Sequence, residues 1–108
     1  MGLNIHSAYS AGELTVYLSG ELDHHEARAA MKFLDDLLEE YLPRSCVLDF
    51  SALHFMDSSG IALIIRMQRK ATAILGKLSI VNPAAQPRRV MEAAGIERMV
   101  CVTTGGAK

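Results

Sequence analysis

The order in which two hydrophobic periodicities follow each other constrains the fold of this chain more than any other feature. Residues 3–6 and 14–18 alternate with the two-residue period of a strand, and residues 10–13 between them have the composition of a turn. This pattern predicts a β-hairpin. After it, short apolar runs alternate with longer segments in which apolar residues recur every three or four positions. Because strands joined through helices must run parallel, the sequence predicts an α/β domain whose mixed sheet is covered by helices.

Helix boundaries are marked by capping residues and prolines. Asp23, with Glu26 three residues later, fits a capping box, and the helical spacing that follows ends before Pro43. A second helical pattern places Ile61, Ile64, Ile65, Ala71 and Leu75 on one side of a helix. A third helix is expected over residues 84–94, with Pro87 in its first turn. The remaining expected strands are residues 45–50, 77–81 and 99–102, followed by a frayed tail at 103–108. All of this makes one domain over residues 1–108.

Charge and hydropathy exclude several classes of protein. The chain has 11 Lys and Arg against 12 Asp and Glu, a balance that does not suit binding to nucleic acid or anionic lipid through bulk charge. Its longest apolar run, residues 61–65, is far shorter than the roughly 18 residues of a membrane span, and no signal-peptide pattern is present. We therefore expect a cytoplasmic protein without a membrane or direct nucleic-acid partner. Cys46 and Cys101 lie in apolar runs and are expected to be reduced core residues.

Small polar residues concentrate where the third expected strand passes into the second helix. Asp57, Ser58, Ser59 and Gly60 follow one another there, at the edge of a parallel sheet where such folds place functional groups. A hydroxyl in the first turn of a helix faces unpaired backbone amides and the positive end of the helix dipole, which would tolerate a phosphate. The alternative is that these residues only cap the helix, which is their commoner role on spacing alone.

Two segments carry a resemblance to a known family. Residues 20–25 read Gly-Glu-Leu-Asp-His-His, and Leu-Asp-Phe at 48–50 is followed by Phe-Met-Asp-Ser-Ser-Gly-Ile at 55–61. In these two segments the chain resembles the bacterial anti-sigma factor antagonists of the STAS domain family. The resemblance continues in register over nearly the entire chain. The Asp-Ser-Ser-Gly element is the most specific part, and the Leu-Asp-His-His run is similar to that of sporulation-type antagonists. Members of the family usually continue past the last strand into a final helix, whereas this chain stops at residues 103–108.

The resemblance implies a STAS-like single domain with a switchable partner. Its unphosphorylated form would bind an anti-sigma factor that is also a serine kinase, carrying its own nucleotide, and so release the sigma factor. The first serine of the element, Ser58, would be the phosphate acceptor. Phosphorylation would end the binding, and a separate serine phosphatase would restore it. The alternative is a STAS-type regulatory binding module of another signalling complex.

The expected partner-binding surface combines two helix starts that the family fold places side by side. Its residues are Asp23, His24, Asp57, Ser58, Ser59, Gly60 and Ile61. The alternative for the first helix start is simple capping. Gly60 is expected to let the partner approach closely. Asp49 is expected to order the Ser58 loop by hydrogen bonds.

Enzymatic and nucleotide-binding functions are not indicated. Ser58 and Ser59 lack a Gly-x-Ser-x-Gly elbow, and His54 lies on the wrong side of the turn to act as their base. The sequence also lacks both common phosphate-binding glycine motifs, so the nucleotide would belong to the partner kinase. His24 and His25 would point about 100° apart on a helix and cannot form a two-ligand metal face. We therefore expect a protein that is not an enzyme and has no cofactor or metal.

Overall fold

The computed structural model of the protein describes residues 2–104, and these form a five-stranded sheet and three α-helices. The predicted α/β fold class is confirmed. The elements in chain order are β1 (Leu3–Ser10), β2 (Glu13–Leu22), α1 (His24–Tyr41), β3 (Ser45–Met56), α2 (Ser58–Ala73), β4 (Lys77–Val81), α3 (Ala85–Ala94), a short 3-10 turn (Ile96–Arg98) and β5 (Cys101–Thr103).

The strands lie side by side in the order of the chain, β1-β2-β3-β4-β5. The hairpin pair β1-β2 is antiparallel, as predicted, and the three following pairs are parallel. Each parallel connection crosses over through a helix and advances by one strand in the same direction. With the usual right-handed crossover, all three helices lie on one face of the sheet.

The core lies between that sheet face and the helices. Alternate residues of β2, namely Leu14, Val16 and Leu18, are at most 1% exposed, and their neighbours on β3 and β4 continue the same rows. Helix α1 contributes Leu34 and Leu38, and no charged or polar residue is buried in the described part of the chain. No helix within residues 2–104 is long and apolar enough to cross a membrane.

Strand β3 is much longer than predicted, and the expected end after Phe50 is wrong. It has 12 residues against 10 in β2, and the two register shifts between these strands each give β3 one extra residue. Beyond Phe50 the next buried residues are Leu53 and Met56, so the strict alternation changes to a spacing of three. A bulge produces this change, because the extra residue bends the strand and lets the following side chain turn inward again. The strand thereby reaches Asp57.

The C-terminal third departs from the predictions in three further places. Cys46 is buried as expected, but Cys101 is exposed. Helix α2 ends at Ala73, so Leu75, predicted on its apolar side, lies beyond it and is 92% exposed. The last strand begins at Cys101 rather than at residue 99 and includes Thr103, which was expected in the tail. Residues 105–108 of that predicted tail lie outside the described residues.

Candidate functional site

The two sequence motifs meet at the carboxyl ends of β2 and β3. Leu22 and Met56 are the last paired residues of these parallel strands, so the residues that follow them, Asp23 and Asp57, leave the sheet side by side. The Asp57 amide donates a hydrogen bond to the Leu22 carbonyl oxygen at 3.3 Å. The fold therefore brings together two segments more than thirty positions apart in the sequence, as predicted.

Asp57 caps the helix that carries the two serines. Its backbone is extended, with φ −107° and ψ −166°, and its Oδ1 accepts a hydrogen bond from the Ser59 amide at 2.8 Å. The Gly60 amide donates to the Asp57 carbonyl oxygen at 2.9 Å. Asp57 therefore caps α2, and its role in partner binding stays a prediction. The Asp57 carboxylate also places a negative charge where an anion at the helix start would otherwise be favoured.

Ser58 and Ser59 differ in accessibility. Ser58 is the first residue of α2 and is exposed, whereas Ser59 is half-buried. Among the described residues, no group is hydrogen-bonded to the Ser58 hydroxyl, so it takes no part in the cap. Ser58 is therefore the more accessible hydroxyl for a modifying enzyme.

Asp23 caps α1 in the same way. Its Oδ1 accepts hydrogen bonds from the His25 and Glu26 amides at 3.0 and 3.1 Å, which confirms its half of the expected capping box. His24 and His25 are both exposed, with ring centroids 4.2 Å apart. This end of the sheet thus presents two aspartate-capped helix starts and two imidazoles.

Gly60 faces the interior of the protein. It is buried, and a Cβ atom added there would collide with Cγ and Sδ of Met56 and lie 3.3 Å from Leu22 Cδ2. The absence of a side chain therefore makes room for Met56 beneath the first turn of α2. Ile61, the next residue, is half-buried and packs against the core. A direct role of Gly60 and Ile61 in partner binding stays a prediction.

A glutamine that the sequence motifs do not include also reaches this site. Gln86, in the first turn of α3, accepts a hydrogen bond from the Met56 amide at 2.8 Å and donates one to the Met56 carbonyl oxygen at 3.0 Å. Nothing in the sequence marks it, since a polar residue in the first turn of a helix is ordinary. The only feature that points to Gln86 is structural: β3 extends beyond β4 and leaves its last residues without a neighbouring strand on that side in the described part of the chain.

Asp49 does not order the Ser58 loop, contrary to expectation. Its Oδ1 accepts a hydrogen bond from the Ser51 amide at 2.9 Å, at the first irregularity of β3. The reason is that Asp49 lies in the middle of the long strand rather than at its end. Within residues 2–104, no cluster of three or more histidine, cysteine or acidic residues could hold a metal ion.

The two shortest ion pairs within residues 2–104 lie on the helical surface between α1 and α2. Arg66 Nη2 lies 2.7 Å from Asp35 Oδ2, and Lys70 Nζ lies 3.3 Å from Glu39 Oε2. The hydrogen bond and charge of Asp35 raise the pKa of Arg66. These groups tie the two helices together.

Comparison with known proteins agrees with the fold. The STAS domain family model matches residues 4–105. The anti-sigma F factor antagonist of Paenibacillus polymyxa is 28% identical over 100 residues, which cover 93% of this chain and 86% of that protein. The solved structure of the anti-sigma factor antagonist SpoIIAA in its unphosphorylated form is similar to this fold, with a TM-score of 0.83 and 23% identity, covering 95% of this chain and 89% of the other. The phosphorylated form of the Bacillus cell fate determinant SpoIIAA gives a TM-score of 0.74 at 23% identity, covering 95% and 92%. Since the family model spans nearly the whole chain, this protein belongs to the STAS domain family.

Proposed function

We propose that this protein is an anti-sigma factor antagonist whose binding to its partner is ended by phosphorylation of Ser58. The observation that carries the proposal is the position of Ser58: it is exposed, it starts α2, and it lies where β2 and β3 end together. The names of similar proteins support the proposal: one relative is an anti-sigma F factor antagonist, and SpoIIAA structures are described in an unphosphorylated and a phosphorylated form.

In this proposal the unmodified protein binds an anti-sigma factor that is itself a serine kinase. Binding takes place in the cytoplasm and releases the sigma factor that the kinase had held. The contact surface is formed by the two helix starts and consists of Asp23, His24, Asp57, Ser58, Ser59 and Ile61. The buried Gly60 contributes by leaving room for Met56 beneath these residues. A serine phosphatase removes the phosphate and returns the protein to its binding form.

The electrostatics of the helix start explain why a phosphate would act as a switch. A phosphoserine carries about −1.5 to −2 charges at neutral pH. The adjacent Asp57 carboxylate is already bound to the Ser59 amide, so the new charge adds to an existing one. In an interface without a matching cation, an unpaired buried charge costs several kcal/mol, and about 1.4 kcal/mol corresponds to a tenfold change in affinity. We expect an affinity loss of about a thousandfold.

The fold itself should tolerate the phosphate. Ser58 is exposed and its hydroxyl has no partner among the described residues, so modification breaks no internal hydrogen bond. The effect should therefore appear in binding and not in the free energy of unfolding.

Mapping the phosphate tests the assignment of the acceptor. The anti-sigma factor kinase of the same organism, with ATP, should add one phosphate to the wild-type protein, and peptide mass spectrometry should place it on Ser58. Ser58→Ala should accept none and should bind the kinase constitutively. Ser59→Ala is the matched control, because it alters the neighbouring hydroxyl and should still be phosphorylated. Phosphate on Ser59, or no phosphate on the wild type, would contradict the proposal.

A further inference from the structure

We infer that Gln86 is a positioning residue for the Ser58 turn, residues 57–60 at the start of α2. Its side chain makes the backbone hydrogen bonds that a neighbouring strand would otherwise make. The inference deepens the proposed function and rests on it, since it concerns how Ser58 is presented to a kinase and a partner. It starts from the unequal lengths of the parallel strands.

Strand β3 extends well beyond its neighbour β4. The last residue pair between them is Asp49 and Val81, so residues 50–56 have β2 on one side and no strand on the other. Backbone amides and carbonyls in such a segment need other partners if they are shielded from water. Met56, at the end of this segment, is 0% exposed.

The side chain of Gln86 supplies the missing pairing at this point. A primary amide has the same donor and acceptor groups as a peptide unit. Its Oε1 lies 2.8 Å from the Met56 amide nitrogen and its Nε2 lies 3.0 Å from the Met56 carbonyl oxygen. Both backbone groups of Met56 are therefore satisfied by one side chain, in the way that an adjacent strand would satisfy them.

The side chain of Met56 transmits this position to α2. Its Cγ and Sδ occupy the space that a Cβ of Gly60 would need, so Met56 packs directly under the first helical turn. Its backbone is connected to Ser58 through Asp57 alone. Met56 is thus held by Gln86 through its backbone and by the helix through its side chain, and these contacts fix the position from which the chain enters α2.

The position of Gln86 is set by helix α3. Gln86 lies in its first turn, and the following Pro87 is buried in the same turn, where its missing amide hydrogen costs no helical hydrogen bond. These contacts link the start of α3, through Met56, to the start of α2.

Loss of the glutamine amide should misplace the phosphate acceptor. A displacement of about 1 Å at a reacting group can lower a rate by about a hundredfold, so we expect Gln86→Ala to reduce the kcat/KM for Ser58 phosphorylation by about tenfold or more. Hydrogen exchange at the Met56 amide should accelerate by a similar factor, about tenfold. Exchange at Leu48, in the middle of β3, should stay as in the wild type.

Two variants separate positioning from a general loss of stability. Gln86→Glu keeps an acceptor for the Met56 amide but loses the donor to the Met56 carbonyl, so its Met56 protection should be intermediate. Gln68→Ala is the matched control: Gln68 is half-buried on α2, and its side chain makes no hydrogen bond within the described part of the chain. It should be phosphorylated like the wild type.

The experiment combines amide exchange by NMR on the four proteins with phosphorylation kinetics by the kinase. Faster Met56 exchange together with slower phosphorylation in Gln86→Ala, and neither change in Gln68→Ala, supports the inference. Unchanged Met56 exchange, wild-type phosphorylation of Gln86→Ala, or an equal loss in Gln68→Ala would overturn it. If the wild type accepts no phosphate, the proposed function fails, and the exchange data alone decide whether Gln86 orders the turn.

Discussion

At the scale of single residues, the sequence predicted the capping aspartates but not the difference between the two serines. Asp23 and Asp57 lie directly before helical patterns and have oxygens that satisfy free amides, which is a local and predictable role. Ser58 and Ser59 have the same side chain, and only the direction of the first helical turn makes one exposed and the other half-buried. The choice of Ser58 therefore came from the family resemblance, and the structure adds its accessibility.

Replacing Asp23 tests whether the helix start is more than a cap. Asp23→Ala removes the acceptor for the His25 and Glu26 amides and should lower the free energy of unfolding by about 1 kcal/mol. Asp23→Asn keeps a capping oxygen and should lose much less stability. If α1 contributes to the interface, Asp23→Ala should also bind the anti-sigma factor kinase more weakly after correction for the unfolded fraction. Normal binding by a measurably destabilised variant would leave Asp23 with a structural role only.

The two cysteines were predicted to be alike, and they differ because they face opposite sides of the sheet. Cys46 pairs with Leu14 and Leu78 in a row that points toward the helices. Cys101 pairs with Ser79, the residue after Leu78 in β4. Because successive strand residues point to opposite faces, Cys101 lies on the face that no helix of residues 2–104 covers. In the native protein we expect a thiol reagent to modify Cys101 rapidly and Cys46 only after unfolding, and peptide mass spectrometry on partly labelled protein would check this. Faster labelling of Cys46 would contradict the burial described above.

Cys46 also gives stability a defined dependence on pH. Burial raises the pKa of the Cys46 thiol from 9.0 to about 12, so above pH 9 the unfolded chain loses a proton that the folded protein keeps. The stability contributed by the buried thiol is therefore complete below the unfolded value and is lost as the pH rises through about 12. The difference in unfolding free energy between the wild type and Cys46→Ala should shrink between about pH 8 and pH 11. Urea unfolding at these two pH values measures it, and an unchanged difference would argue against the raised pKa.

At the scale of elements, helix positions were predictable apart from the end of α2, and the length of β3 was not. The helical segments have continuous apolar periodicity and clear boundaries at Asp23, Pro43 and Gly95, which closes α3 with φ 70°. In β3 the alternation breaks after Phe50, and a break in alternation looks the same in sequence whether a strand ends or bulges. The bulges are specified by pairing with β2, which is not visible locally. For the same reason Gln86 could not be identified as a partner of Met56.

The contact between Gly60 and Met56 predicts a coupled pair of substitutions. Gly60→Ala should destabilise the domain by about 1 to 3 kcal/mol, because the new methyl group overlaps the packed Met56 side chain. A smaller residue at position 56, as in Met56→Ala, leaves space for that methyl group. The double variant should therefore be more stable than the sum of the two single losses predicts, by about 0.5 kcal/mol or more. Additive losses in urea unfolding would show that the two residues are not in contact.

At the scale of the whole molecule, the topology explains why one end of the sheet is the candidate site. Parallel strands joined by right-handed crossovers bring all their carboxyl ends to one edge, and the residues that begin α1, α2 and α3 meet there. This was predictable from the alternation of elements alone. The placement of Asp23 beside Asp57 follows from the pairing of β2 with β3. The identity of the partner cannot be read from the packing of the domain.

The most direct test of the account is a calorimetric titration of the anti-sigma factor kinase with this protein in two forms, unmodified and phosphorylated only on Ser58. Thermal unfolding of both forms serves as the control and should give similar midpoints, because the modified hydroxyl is exposed. The account predicts binding by the unmodified protein and an affinity about a thousandfold lower for the phosphorylated one. Equal affinity of the two forms, with both folded, would contradict the role of Ser58 as the switch.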